Sequence, residues 1–188
     1  MSATGKGALF LDRDGTIIAD EQYLNNADRV KLLPGAVHAI TKANSLGIPV
    51  VVVTNQSGIG RGLITEAQYA AVAERLHNLL AVGGARIDAT YYCSQTPDSN
   101  GPRNCRKPAL LMYQQAALEH GLDLARSAYI GDKWRDVEPA LKVDGYGVLV
   151  PTADTSVEDV ERARSFAHTA PDVGEAITAA IAWMGVHQ

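Results

Sequence analysis

The stretch Asp12-Arg13-Asp14-Gly15-Thr16 decides both the fold class and the chemistry that this chain can perform. It follows the short apolar run Ala8-Leu9-Phe10-Leu11, which predicts a buried β-strand. Asp12 and Asp14 leave the end of that strand together, and Gly15 permits a sharp turn of the backbone beneath them. Two neighbouring carboxylates repel each other and are most simply neutralised by a hard divalent cation such as Mg²⁺. A carboxylate beside such a cation can attack phosphorus and form an aspartyl-phosphate.

Three further segments carry polar or charged side chains in places that suit the same chemistry. The run Val50-Val51-Val52-Val53 predicts a second buried strand, and it ends at Thr54-Asn55-Gln56-Ser57, whose hydroxyl and amide groups suit phosphoryl oxygens. Arg106-Lys107 supplies two adjacent cations before a helix. Ala128-Tyr129-Ile130 predicts another strand, ending at Gly131-Asp132-Lys133-Trp134-Arg135-Asp136. Each segment alone also fits a turn, a helix cap or a solvated pair of charges, but together at strand ends they indicate one site.

Strands and helices alternate along the chain. The predicted strands are 8–11, 48–53, 87–92, 127–131 and one closing at 149–150. The predicted helices are about 36–45, 65–82, 109–120, one from 134, and 172–184 after a less regular acidic stretch. This order predicts an α/β fold with a doubly wound parallel sheet and helices on both faces. A chain of 188 residues is most economically a single domain, 1–188.

Composition excludes several classes of protein. The formal net charge of −4 gives no support for nucleic acid or an anionic membrane as a partner. No apolar run is long enough to span a bilayer, and residues 1–7 lack the apolar region of a signal peptide. With Cys93 and Cys105 as the only cysteines we expect no disulfide framework, which favours the cytoplasm.

The ordered motifs resemble those of the haloacid dehalogenase-like (HAD-like) phosphohydrolases from Leu9 to about Val150. The resemblance is closest at 10–18, 53–62, 91–93 and 105–108, which look like the D-glycero-D-manno-heptose 1,7-bisphosphate 7-phosphatases and the related histidinol-phosphate phosphatases. It implies an Mg²⁺-dependent phosphomonoesterase of nucleotide-activated heptose biosynthesis that removes the 7-phosphate through an aspartyl-phosphate. The alternatives are histidinol phosphate or another small phosphosugar as substrate, or a non-catalytic phosphosugar-binding module. Family members often insert a cap domain, but both insertion segments are short here, so the resemblance implies a capless, open site.

The resemblance also implies a role for each site residue. Asp12 is the nucleophile, and Asp14 is the general acid and then the base. Thr54 and Lys107 stabilise the transferring phosphoryl group, and the planar fork of Arg106 suits a second phosphate. Mg²⁺ is the only cofactor, and its ligands are the Asp12 carboxylate, the Asp14 carbonyl and Asp132, with Asp136 assisting. The remaining substrate contacts are expected from Asp20, Glu21, Gln22, Tyr23, Asn55, Gln56, Ser57 and Lys133.

The chain departs from this family in the loop after the third strand. Family members hold a structural zinc there through C-x-H and C-x-C pairs. Here the pairs are Cys93-Ser94-Gln95 and Arg103-Asn104-Cys105, so Gln95 replaces the histidine and Arg103 replaces a cysteine. A closed structural site needs four nitrogen or sulfur ligands. We therefore expect a zinc-free loop ordered by packing or hydrogen bonds, unless Asp98 or a distant histidine completes the site.

Overall fold

The computed structural model describes residues 5–98 and 104–186, so predictions that concern Arg103 or residues 1–4 lie outside the described residues. The described chain forms a six-stranded parallel sheet in the order β3-β2-β1-β4-β5-β6. The strands are β1 (Leu9–Leu11), β2 (Val50–Asn55), β3 (Ala89–Cys93), β4 (Ala128–Gly131), β5 (Tyr146–Leu149) and β6 (His168–Thr169). The predicted α/β class with a parallel sheet is confirmed.

Helices connect the strands. They are α1 (Ala36–Ser45), α2 (Ser57–Gly60), α3 (Glu66–Val82), α4 (Leu111–His120), α5 (Trp134–Lys142), α6 (Val157–Phe166) and α7 (Val173–Val186). The start of α3 is fixed by a capping box, in which the Gln68 amide donates to the Thr65 hydroxyl and the Thr65 amide donates to the Gln68 side chain. None of the described helices has the length and hydropathy to cross a membrane.

Helices cover both faces of the sheet. Successive strand residues point to opposite faces, so each strand contributes side chains to both sides. Leu9 and Leu11 belong to a core that contains buried residues of α1, α3 and α7. Phe10 faces the other way, and its ring lies 5.2 Å from the rings of Tyr113 on α4 and Tyr129 on β4. The two-sided burial explains why β1 and β2 are continuous apolar runs.

Two elements near the end of the chain differ from the prediction. The acidic stretch that we expected to be irregular forms α6, which begins after Ser156, whose hydroxyl accepts from the Asp159 amide at 3.1 Å. Most of its side chains are exposed, and Ala163 is the buried one among them. The sixth strand was not predicted, because β6 has only two residues and both are exposed. Caps and strand pairing, rather than apolar spacing, define these elements.

The prediction that the cysteines form no disulfide was wrong. Cys93 ends β3, and its sulfur is bonded to that of Cys105, with the two Cα atoms 5.6 Å apart. Counting cysteines missed this pair because the fold, and not the sequence, brings residues separated by 12 positions together. Gln95 also helps, since its side-chain oxygen accepts from the Cys105 amide at 3.1 Å. The bond joins Cys105, the residue before Arg106, to the end of β3. The cysteine-based argument for a reducing compartment therefore fails.

We expect the Cys105→Ser variant to have a free energy of unfolding about 3 kcal/mol below that of the oxidised wild type, because the bond restricts the unfolded chain. Urea unfolding monitored by circular dichroism measures the difference. A thiol reductant should lower the stability of the wild type by the same amount and leave the variant unchanged. Equal stability of the wild type and the variant in the absence of reductant would show that the bond does not stabilise the fold.

Candidate active site

The predicted site residues meet where neighbouring strands end. Asp12 follows β1, Thr54 lies near the end of β2, and Asp132 follows β4. Parallel pairing brings these strand ends to the same edge of the sheet, where they form a pocket of about 430 Å³. Its lining contains twelve of the predicted residues: Asp12, Asp14, Asp20, Glu21, Gln22, Tyr23, Thr54, Asn55, Gln56, Ser57, Lys107 and Asp132.

A buried ammonium group lies at the base of this pocket. The Lys107 Nζ atom is 2.7 Å from Asp12 Oδ1 and 2.7 Å from Asp136 Oδ1, and it also donates to the Val53 carbonyl at 2.6 Å. The side chain is only 1% exposed. Burial alone would lower the pKa of Lys107, but Asp12 and Asp136 outweigh it and raise the pKa above its usual value. Lys107 therefore stays charged and neutralises part of the acidic cluster.

Asp12, Asp132 and Asp136 form that cluster, and they offer oxygen atoms within 4.8 Å of one another. Burial raises the pKa of Asp132 to about 7, and the neighbouring charges of Asp12 and Asp136 add to the effect. Burial also raises the pKa of Asp136, although Lys107 opposes it. Lys107 pairs with Asp12 and Asp136, and Lys133 pairs with Asp132 at 3.1 Å. The clustered hard oxygen donors themselves fit a divalent cation.

Two glycines allow the acids to approach the backbone this closely. Gly15 has a φ of +78°, and a Cβ there would lie 2.6 Å from Asp132 Oδ2. A Cβ on Gly131 would lie 2.2 Å from the Cβ of Asp136. Thr155 holds Asp132 from the other side, donating to its carbonyl at 2.7 Å. The positions of the acids are therefore set by close packing against the chain.

The Asp14 side chain turns away from the acidic cluster. Its carboxylate accepts from Arg13 through Nε and Nη2, both at 3.0 Å, and from Gln56 Nε2 at 2.9 Å. Gln56 Nε2 also lies 2.9 Å from the Thr54 hydroxyl. Because Asp14 is not among the clustered carboxylates, only its backbone carbonyl can serve the expected role in metal binding.

The Asn55 side chain is hydrogen-bonded to the backbone of Lys107. Its side-chain oxygen accepts from the Lys107 amide at 3.0 Å, and its side-chain nitrogen donates to the Lys107 carbonyl at 3.3 Å. These two bonds fix the backbone of the lysine against the end of β2. The placement explains how a residue after the Cys93–Cys105 loop reaches Asp12.

Three predicted residues lie outside the lining that the described residues form: Arg106, Lys133 and Asp136. Asp136 is buried behind Lys107, and Lys133 Nζ pairs with Asp132 Oδ2 at 3.1 Å and donates to the Asp154 carbonyl. Arg106 is half-buried beside the pocket and donates to the Gln95 carbonyl at 3.3 Å. Burial lowers the pKa of Arg106, and the positive charges of Arg135 and Arg61 lower it further.

Sequence reasoning assigned no role to two arginines of the site. Arg13 pairs with Asp14, and Arg135 lines the pocket with its Nε atom buried and without a hydrogen-bond partner among the described residues. Both residues lie inside the acidic motifs, and this position was the sequence feature that could have identified them as site residues. The orientation of a side chain within a motif depends on neighbours distant in sequence, and Tyr69 on α3 is such a neighbour for Arg13.

Comparison with known proteins identifies similar sequences and a similar fold. The HAD-hydrolase-like family model matches residues 104–176. A relative from Yersinia pestis named D-glycero-beta-D-manno-heptose-1,7-bisphosphate 7-phosphatase is 36% identical over 92% of this chain and 95% of its own. A relative from Thermosynechococcus vestitus with a similar name is 34% identical over 96% of both chains. The crystal structure of a D,D-heptose 1,7-bisphosphate phosphatase from B. bronchiseptica with magnesium and phosphate superposes with a TM-score of 0.83 at 29% identity, covering 94% of this chain and 98% of that one.

We expect Lys107→Met to lower the free energy of unfolding by about 3–5 kcal/mol, because it leaves the buried carboxylates of Asp12 and Asp136 without their counterion. Adding Asp136→Asn should recover part of that loss by removing one of the charges. Urea unfolding in the presence of EDTA measures both effects without a contribution from bound cations.

Lys142→Met is the matched control, since Lys142 is an exposed lysine that pairs with Glu138 at 2.8 Å and donates to the Pro108 carbonyl at 2.9 Å, and it should contribute about 0–1 kcal/mol. A Lys107→Met protein as stable as this control would show that the buried ion pairs do not stabilise the fold.

Proposed function

The chain belongs to the HAD-like hydrolases, and from this premise we propose that it is an Mg²⁺-dependent phosphatase that removes the 7-phosphate of D-glycero-D-manno-heptose 1,7-bisphosphate. The observation that carries the proposal is the Asp12 carboxylate, which lines the pocket and is held by the buried ammonium of Lys107 at 2.7 Å. The names of the relatives support the choice of substrate.

In the first step, Asp12 attacks the phosphorus in line with the departing sugar oxygen. A phosphorus–oxygen bond forms to Asp12 as the bond to the sugar breaks, and Asp14 supplies the proton that the sugar oxygen takes up. Thr54 and Lys107 face the same pocket, so their donors can stabilise charge on the phosphoryl oxygens. In the second step, water displaces Asp12 from phosphorus, and Asp14 accepts the proton.

The proposed metal ligands are the carboxylates of Asp12 and Asp132 and the backbone carbonyl of Asp14. Asp136 assists from behind, since its carboxylate pairs with Lys107. Oxygen donors suit Mg²⁺ better than a soft metal. When bound, the cation would neutralise the acids and polarise the phosphoryl group.

Recognition of the second phosphate is proposed for Arg106, with Lys133 on the phosphate or sugar. The positive charges of Arg135 and Arg61 repel that of Arg106, and a bound anion would reduce this repulsion. The proposed sugar contacts are the loop that lines the pocket (Asp20, Glu21, Gln22 and Tyr23) and the residues at the carboxyl end of β2 (Asn55, Gln56 and Ser57). The described residues form no cap, which leaves substrate choice to these loops.

We place the enzyme in the cytoplasm and treat residues 1–188 as one domain. A sugar that carries two phosphates does not cross a bilayer unaided, since each charge is costly to bury. In a reducing compartment, the Cys93–Cys105 bond would be open to thiol reductants.

The proposed function is tested by phosphate release from a panel of substrates: both anomers of heptose 1,7-bisphosphate, fructose 1,6-bisphosphate and histidinol phosphate. Release should be fastest with a heptose bisphosphate, disappear with EDTA and return with Mg²⁺ alone. Asp12→Asn should abolish release while circular dichroism stays unchanged, because an amide is a poor nucleophile. Near-normal turnover by the folded variant would remove Asp12 from the chemistry, and a preference for histidinol phosphate would reassign the substrate.

Arg106→Ala should impair hydrolysis of a sugar bisphosphate about ten- to a hundredfold more in kcat/KM than hydrolysis of the corresponding monophosphate, because only the former has a second phosphate for the guanidinium to bind. Thr54→Val is the matched control, and it should impair both substrates alike because Thr54 serves the reacting phosphoryl group. Equal losses in Arg106→Ala would move Arg106 to the reacting centre and leave the second phosphate without its proposed contact.

A further inference from the structure

Arg13 lies between the two acids of the first motif, and its side chain is almost completely buried at 3% exposure. Its guanidinium donates to both oxygens of Asp14, whose side chain is 19% exposed in the pocket. The Gln56 amide supplies the third hydrogen bond to that carboxylate. Asp14 therefore presents a carboxylate that three donors hold in one orientation.

The orientation of Arg13 is imposed from outside the motif. Its guanidinium carbon lies 5.4 Å from the centre of the Tyr69 ring on α3, a cation–π distance. The Tyr69 ring in turn lies 4.4 Å from that of Tyr92, whose hydroxyl donates to Glu66 at 2.8 Å. Burial raises the pKa of Tyr69 to about 12, so its ring remains a neutral platform. The fork that holds Asp14 is thus fixed by the packing of α3 against the sheet.

The three N–H donors occupy three of the four lone-pair positions of the Asp14 carboxylate and leave one position free. Asp14 can therefore exchange a proton at that position without leaving the fork. Because the fork fixes the carboxylate, it also fixes the direction from which the attacking water must present its proton.

We propose that Arg13 is a positioning residue that holds Asp14 as the base for hydrolysis of the aspartyl-phosphate. The proposal rests on the proposed function, because it takes Asp12 as the nucleophile. In this step a water oxygen bonds to phosphorus and one water proton passes to Asp14. The bond between phosphorus and Asp12 breaks, its electron pair returns to the Asp12 carboxylate, and inorganic phosphate leaves. Loss of the fork frees Asp14 to rotate, and with a leaving group that needs no proton it slows this step and not the first.

The test uses 4-nitrophenyl phosphate, whose leaving group needs no proton, and compares the wild type with Arg13→Lys and Arg13→Met. Each protein is quenched with acid during turnover, and the phosphorylated fraction is measured by intact-protein mass spectrometry. Arg13→Met should have a kcat lower by about tenfold or more and should accumulate as the phosphoenzyme. Arg13→Lys keeps the charge without the fork and should fall between it and the wild type.

Two further variants separate positioning from folding. Tyr69→Leu removes the platform under Arg13 without changing the motif, so it should shift the phosphorylated fraction in the same direction and carries the test if Arg13→Met does not fold. Arg162→Met removes an exposed arginine that pairs with Glu158 and should match the wild type. A lower kcat without accumulation of phosphoenzyme in the folded variants, or unchanged kinetics, would overturn the proposal. Failure of the proposed function itself would appear separately, as turnover by Asp12→Asn.

Discussion

The interaction on which the rest of the structure depends is the buried contact of Lys107 with Asp12 and Asp136. It joins the end of β1, the start of α5 and the segment after the disulfide loop, and the same ammonium also binds the Val53 carbonyl within β2. An ammonium group buried without partners would be expensive, but here each acceptor lies within 2.7 Å. One side chain therefore serves both as a structural link between distant segments and as the electrostatic partner of the nucleophile. Removing either partner would leave a buried charge uncompensated.

The sheet places this contact at the point where its connections change direction. The neighbours of β1 are β2 on one side and β4 on the other, so the chain moves outward to β3 before it crosses back to β4. In open parallel sheets, the crevice outside the strand ends at such a point is the usual ligand site. The pocket forms there because the connections after β1 and β4 lead to opposite sides, toward β2 and β5. Fold topology thus accounts for the location of the site, and the local motifs account for its chemistry.

The buried elements and the acidic motifs were predictable because their information is local. Strands β1 and β2 are apolar on both faces, and the acids directly follow strands. Contacts between segments that are distant in sequence could not be predicted. Three such contacts depend on which loops the fold brings together. They are the Cys93–Cys105 bond, the hydrogen bonds of Arg13 to Asp14 and those of Asn55 to Lys107. The α6 helix and β6 were missed for another reason, since exposed elements leave little apolar pattern to detect.

The close approach of Gly15 and Gly131 to the acids links cation binding to the stability of the fold. Because a Cβ at either position would overlap Asp132 or Asp136, the acids are gathered when the chain folds and not when a ligand arrives. Their mutual repulsion is therefore a property of the native state that the unfolded chain lacks. Any cation that binds between them acts on the native state alone and shifts the folding equilibrium by mass action. The concentration of free divalent cation would then govern how much of the protein is folded as well as how fast it works.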